Sequence, residues 1–177
     1  WAEVVVAIAI LDLAIWTQHL VTHKIALFWR FHRVHHADRD MDVTTAIRFH
    51  PVEIAASMLL KIGLIYLLGP SALAVVLFEI LLNATSLFTH ANIALPARAE
   101  RIVRLVLVTP DMHRIHHSTR REDHDSNFGF ALSVWDRIFG TYRPQPAAGH
   151  AGMQVGLEWQ DEKPARLGWS LMLPFRR

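Results

Sequence analysis

The sequence predicts an all-α protein, a helical bundle integral to a membrane and carrying a histidine-rich cap. Three observations carry that prediction. The 177 residues are 52% apolar with a mean hydropathy of +0.22, more than a soluble domain of this size carries. The apolar residues are gathered into three long runs. Histidine, twelve residues in all, recurs in a pattern: His19 and His23, then HRVHH at 32–36, then HRIHH at 113–117.

Residues 1–18 form the first apolar run, interrupted by Glu3, Asp12 and Gln18, and long enough for a membrane helix. It opens at Trp1 with no methionine and no charged region ahead of it, so an amino-terminal part is expected to be missing. Residues 24–51 turn polar and basic. Two apolar segments of 18 and 19 residues follow at 52–69 and 71–89, joined at Gly69-Pro70-Ser71, and predict a helical hairpin. A hairpin enters and leaves on one side, so the end of the first run, the loop 24–51, His90 and everything after it share one face. Of the 18 Lys and Arg residues, 17 fall outside the three runs and only Lys61 within one, which places that face in the cytoplasm. A soluble bundle with buried helices is the alternative.

Residues 1–145 read as one membrane-embedded domain and 146–177 as an interfacial tail. Trp135 to Tyr142 puts aromatics and an arginine into one short helix suited to the membrane–water boundary and placed to cap the histidines. Trp159, Trp169 and the closing Leu173-Pro174-Phe175-Arg176-Arg177 repeat the theme. Residues 143–152, rich in Pro, Gly and Ala, read as a loop.

The histidines predict a metal. Offsets of three and four put the members of each group on one helix face, aimed at one small volume. A core histidine needs one or two hydrogen-bond partners and has no reason to recur as HxxHH. The absence of cysteine removes disulfides, thiolate zinc sites and cysteine-held iron–sulfur clusters, so any metal sits on nitrogen and oxygen. The three groups supply eight imidazoles and His90, in THANIALP, a ninth; one zinc needs four, so the count implies two ions a few ångströms apart. Haem pairs sit singly on separate spans and fit adjacent HH doublets poorly. Imidazole suits iron, copper, nickel and zinc alike.

Carboxylates near these groups are candidates to accept the second ring N–H of a ligand. Asp12, two turns before His19 and on one face with Trp16, is the first, with snorkelling or helix packing as its alternative role; Glu53, Asp111 and Asp125 follow by the same logic. His50, followed by Pro51, is either a further ligand or an orienter of the loop. Glu79 and Asn83, four apart, could support His90. His124 and His150 are expected at the surface. The net charge of +2, without a basic groove interleaved with aromatics, speaks against nucleic acid as a partner.

Over about 12–145 the chain resembles the membrane-bound fatty acid hydroxylase and sterol desaturase superfamily. The strings that carry the likeness are FWRFHRVHHADRDMDVTTAIRFHPVE, THANIALP, TPDMHRIHHS, DSNFGF and WDRIFGTY. The resemblance implies a non-haem di-iron centre on the cytoplasmic side, activating dioxygen against a C–H bond of a lipid to hydroxylate or desaturate it. It assigns His19 and His23 to the first box, His32, His35 and His36 to the second, and His113, His116 and His117 to the third. His90 matches a histidine that precedes the third box, and Asn127 lies in the DSNFGF string. Electrons must come from outside, from a reductase, ferredoxin or cytochrome, because the chain has no cysteine for a cluster and no G-x-G-x-x-G turn for a flavin or nicotinamide. Two other readings use the same ligands: a zinc-dependent membrane hydrolase or isomerase, and a metal-binding or transport protein without chemistry. A transporter wants more polar residues at mid-bilayer than Lys61, Glu79 and Asn83.

Overall fold

A computed structural model describes residues 1–159 and 163–176. Among these the chain is helical, with two isolated bridges, Leu107 to Leu132 and Ser118 to Val155, in place of any strand. Helix α1 (Ala2–Lys24), α3 (Pro51–Leu68) and α4 (Ala72–His90) are each long and apolar enough to cross a membrane. The 18 residues of α3 rise about 27 Å, close to the roughly 30 Å of bilayer hydrocarbon. Between α1 and α3 lie α2 (Ala26–His36) and a single 3-10 turn, Val43–Ile47.

The hairpin closes as expected. Gly69 takes φ +60°, a left-handed conformation that ends α3 without steric cost, and the Ser71 hydroxyl caps α4 by accepting from Ala74 N. The start of α1 is pinned to this turn, since Ser71 N and Oγ both donate to the Glu3 carboxylate at 2.9 Å. The amino end of α1 and the turn of the hairpin therefore share one end of the bundle. His19, His23, His50 and His90 all lie at the other.

α1 packs on α4 through small and large residues in turn. Val4 and Ala7 meet Ala74, and one layer nearer the histidines Leu11 and Ile15 enclose Phe78. The outer face of α3 stays open, with Leu59, Ile62, Tyr66 and Leu67 exposed as a surface for lipid.

Beyond α4 the helices are short: α5 (Ala97–Val103), α6 (Pro110–His116), α7 (Arg121–His124), α8 (Val134–Ile138), α9 (Gly149–Gly152) and α10 (Leu167–Met172). The helical turn from Trp135 stops at Ile138, and the stretch read as loop at 143–152 includes the one turn of α9. The tail folds back on α2: Trp169 and Leu173 form a core with Val34, Ala37 and Leu157. Arg33 ties it down by donating to Leu173 O and Arg176 O at 2.6 and 2.7 Å. Trp169 is thus buried in the cap, while Trp159 remains exposed; Arg177 lies outside the described residues.

Candidate metal centre

Four helix segments deliver nine imidazoles to one buried volume: the last turns of α1, all of α2, the end of α4, and α6. The ligand-capable nitrogens divide into two groups, each with its atoms within 4.8 Å of one another. The first holds His19, His23, His32, His36 and His116; the second holds His35, His90, His113 and His117. Each HxxHH box is shared. Residues four apart on a helix differ by only about 40° in direction, whereas adjacent residues diverge by about 100°. So His32 and His36 face the first group while His35 turns to the second, and in α6 the pattern inverts: His113 and His117 face the second group while His116 joins the first. Sequence spacing aimed each box at a single volume; the doublet instead straddles two.

The chemistry of the nitrogens fits a metal. His19 Nδ1 donates to Phe128 O at 2.7 Å, His116 Nδ1 to Ser126 O at 2.8 Å, and His32 Nδ1 to Glu53 Oε1 at 2.6 Å. His90 Nδ1 donates to Ser86 O at 2.7 Å. In each ring the proton is thereby placed on Nδ1 and the Nε2 lone pair faces its group. His19 and His32 bring Nε2 to Nε2 at 3.1 Å, as do His90 and His35, and His113 approaches His90 at 3.0 Å. His19 and His32, each with its proton on Nδ1, set their Nε2 lone pairs nose to nose, and these repel unless a cation lies between them. Two imidazoles at right angles on one ion with bonds of about 2.1 Å stand about 3.0 Å apart, the separation seen. Both ring nitrogens of His23, His36 and His117, Nδ1 of His35 and His113, and Nε2 of His116 are buried with no hydrogen-bond partner among the described residues. Burial pushes the His35, His36, His113, His116 and His117 imidazoles well below their ordinary value of 6.5, and neighbouring imidazoles push the same way. Neutral rings with free lone pairs are what a divalent cation binds.

The loop after α7 is built to aim carbonyls at the first group. Asn127 sits at φ +52°, its amide donating to Met112 O and Arg143 O. Asp136, fully buried in α8, accepts from Phe128 N, Gly129 N, Trp16 Nε1 and Thr141 Oγ1. A Cβ on Gly129 would meet Val108 at 2.7 Å and Asp136 at 3.0 Å, so that position requires glycine. These contacts fix the Phe128 carbonyl against His19. Sequence reasoning took Trp135 to Tyr142 for a boundary helix and passed over Asp136; its signal was a carboxylate inside an aromatic cluster.

Other candidates are placed differently from expectation. Asp12 accepts from Trp135 Nε1 at 2.8 Å and Leu132 N at 3.2 Å, clamping α8 to α1, and bonds none of the histidines. Asp111 pairs with Arg114, one turn along its own helix. Asp125 pairs with Lys24 at 2.7 Å and stands 3.9 Å from His23. His50 belongs to neither group: as N-cap of α3 its Nδ1 accepts from Val52 N, and its Nε2 donates to Leu171 O. Glu79 and Asn83 do not reach His90, since Glu79 pairs with Lys61 and Asn83 donates back to Glu79 O. His124 is not a surface residue. It stacks on Trp29 at 5.3 Å and forms a small third group with His23 and Asp125. His150 lies half-buried in α9, outside all three groups.

Residues 4–141 match the family model described as fatty acid hydroxylase. The chain is 28% identical over 153 residues to an ornithine lipid hydroxylase from Rhizobium tropici, an alignment covering 85% of this chain and 45% of that protein. It is 32% identical over 127 residues to an alkylglycerol monooxygenase from Homo sapiens, covering 72% and 27%. To the alkylglycerol monooxygenase of Danio rerio it is 29% identical over 135 residues, covering 76% and 29%. The chain spans less than half the length of these relatives. No solved structure matches it.

Proposed function

Because the chain belongs to the fatty acid hydroxylase family, we propose that it is a membrane oxidoreductase using two irons and dioxygen to hydroxylate, or desaturate, a C–H bond of a lipid. The observation that carries this reading is the division of nine buried imidazoles into two adjoining groups. Its relatives act on lipids by name, as a hydroxylase and monooxygenases. The ligands are His19, His23, His32, His36 and His116 for one iron and His35, His90, His113 and His117 for the other. The site lies at the cytoplasmic face, residues 1–145 form the membrane-embedded domain, and residues 146–177 form an interfacial tail.

Bound iron would supply the two-electron oxidation of the C–H bond by dioxygen. The protein's own groups hold geometry and exclude water. Glu53 fixes His32, the Phe128 and Ser126 carbonyls fix His19 and His116, and Phe49 stacks on His35 at 4.2 Å. Hydroxylation consumes one dioxygen, two electrons and two protons per lipid and releases one water, so an external donor, a reductase, ferredoxin or cytochrome, must dock at the exposed side.

The test is elemental analysis of the purified protein together with lipidomics of membranes with and without it under labelled dioxygen. Two equivalents of iron and an oxygen-dependent gain of one oxygen, or loss of two hydrogens, are expected. Zinc at full occupancy, with products that form without oxygen, would instead establish a hydrolase or isomerase.

A further inference from the structure

Beside the first imidazole group a cavity of about 270 Å³ runs from His19 and His32 into the membrane-spanning part of the bundle, between α1, α3 and α4. Its walls are apolar over most of their area, but each of two helices carries a polar stripe along them. On α3 they carry Glu53, Ser57 and Lys61, spaced four and four; on α4 they carry Glu79, Asn83 and Ser86, spaced four and three. Each set occupies one helix face, so the two faces turn toward the same space. Lys61 lies ten residues past Pro51, about 15 Å along the helix, at a depth where polar groups are costly and mark function.

Two features say what the cavity takes. Gln18 Oε1 and Glu53 Oε2 are buried in its wall with no hydrogen-bond partner among the described residues. Both are acceptors. The cation of the wall, Lys61, is taken by Glu79 at 2.7 Å. A ligand carrying a hydroxyl or N–H satisfies the two acceptors, a bare hydrocarbon leaves them buried and unmet, and an anion finds no free positive charge.

We propose that this cavity selects a lipid whose reacting segment carries hydrogen-bond donors and no net negative charge, with Gln18, Glu53 and the Lys61–Glu79 pair as the residues that set the selection. The inference rests on a lipid being the substrate. It is tested by binding, so that it stands or falls separately from turnover.

The protein in phosphatidylcholine nanodiscs is equilibrated with radiolabelled hexadecane, hexadecanol or hexadecanoate, chains of one length that differ only at the end, both before and after iron loading. Hexadecanol is expected to be retained roughly tenfold better than either of the others in both forms. Gln18→Met, an unbranched replacement of similar length, removes one of the two acceptors and should lower hexadecanol retention several-fold toward that of hexadecane. Glu79→Gln, which releases Lys61, should raise hexadecanoate several-fold. Equal retention of the three probes by the unaltered protein, or a preference for hexadecanoate, overturns the proposal whether or not the variants fold. An alcohol preference undiminished by Gln18→Met, or hexadecanoate retention unmoved by Glu79→Gln, in a folded variant, overturns it as well. Failure of the oxygenase reading would appear elsewhere, as lipids left unoxidised while this binding order holds.

Discussion

The two imidazole groups are made of the same residue type and share α2 and α6, with α1 serving the first alone and α4 the second alone, yet they are held in different ways. In the first group His19, His32 and His116 each donate Nδ1 to an oxygen, two of them on the loop that Asp136 secures. In the second only His90 has such a partner, while His35 is positioned by stacking on Phe49 and the Nδ1 atoms of His113 and His117 have none among the described residues. Hydrogen bonds set ring direction and tautomer; packing sets position alone. Three of five rings in the first group are thus preset, His23 and His36 being the exceptions, against one of four in the second, whose remaining rings would take their final directions from a bound ion.

Removing a ligand should separate the two most sharply. His116→Ala is expected to empty the first group and His35→Ala the second, each lowering bound metal by one equivalent and activity by at least about a hundredfold. Metal counted per protein after dialysis distinguishes this from a single shared site, in which either change would release everything. Glu53→Ala comes next: it leaves every ligand in place but frees the His32 ring, and should weaken metal binding at the first group by about ten- to a hundredfold while the second keeps its affinity. An equal loss at both would mean that Glu53 serves the whole cluster.

Acid should reveal the same asymmetry. The imidazoles outside the spans are held below their ordinary 6.5 by burial, so the neutral ring favours the folded state above that pH. As pH falls below about 6.5 the unfolded chain takes up protons that the folded chain refuses, and both stability and metal retention decline. Stepwise release is expected, the second group first, because three of its four rings, against two of five in the first, lack an oxygen partner on Nδ1. Metal release followed from pH 8 to pH 5 in one simultaneous step would erase the distinction.

Much of this was legible in the sequence. Apolar runs of membrane length gave the three spans, and Gly69-Pro70-Ser71 gave the turn. The nine imidazoles singled out by spacing and by resemblance are the nine that the fold gathers. How they divide was not legible, because a box read as one face hides the divergence of adjacent residues; the split appears only when α2 and α6 are set against each other. The partners were the weaker part of the reading. Sequence proximity put Asp12 and Asp111 beside histidines, but Asp12 accepts from Trp135 and Leu132 at Oδ2 alone, and Asp111 pairs with Arg114. The oxygens that orient His19 and His116 are backbone carbonyls of Phe128 and Ser126, which no side-chain pattern announces.

The loop bearing those carbonyls sharpens the comparison at a smaller scale. Asp136→Asn replaces one acceptor oxygen with a donor facing the Gly129 amide, and should cost about 1–3 kcal/mol of stability in thermal unfolding. Metal at the first group should loosen with it, since the Phe128 carbonyl loses its anchor, and metal at the second should not.

The smallest effect belongs to His50, which lies at the same end of the bundle as both groups and contributes to neither. Its Nδ1 satisfies the Val52 amide at the start of α3, where Pro51 already removes one donor, and its Nε2 holds Leu171 of the tail. His50→Ala should therefore cost about 1 kcal/mol, the worth of a lost cap, and leave metal content untouched. His50→Asn, which restores an acceptor at the same position, should recover most of that stability although asparagine is a poor ligand for iron. Loss of metal in both variants would make His50 a tenth ligand and break the division into five and four; unchanged metal with the stability ordered histidine, asparagine, alanine would show that proximity to the cluster and membership in it are separate properties.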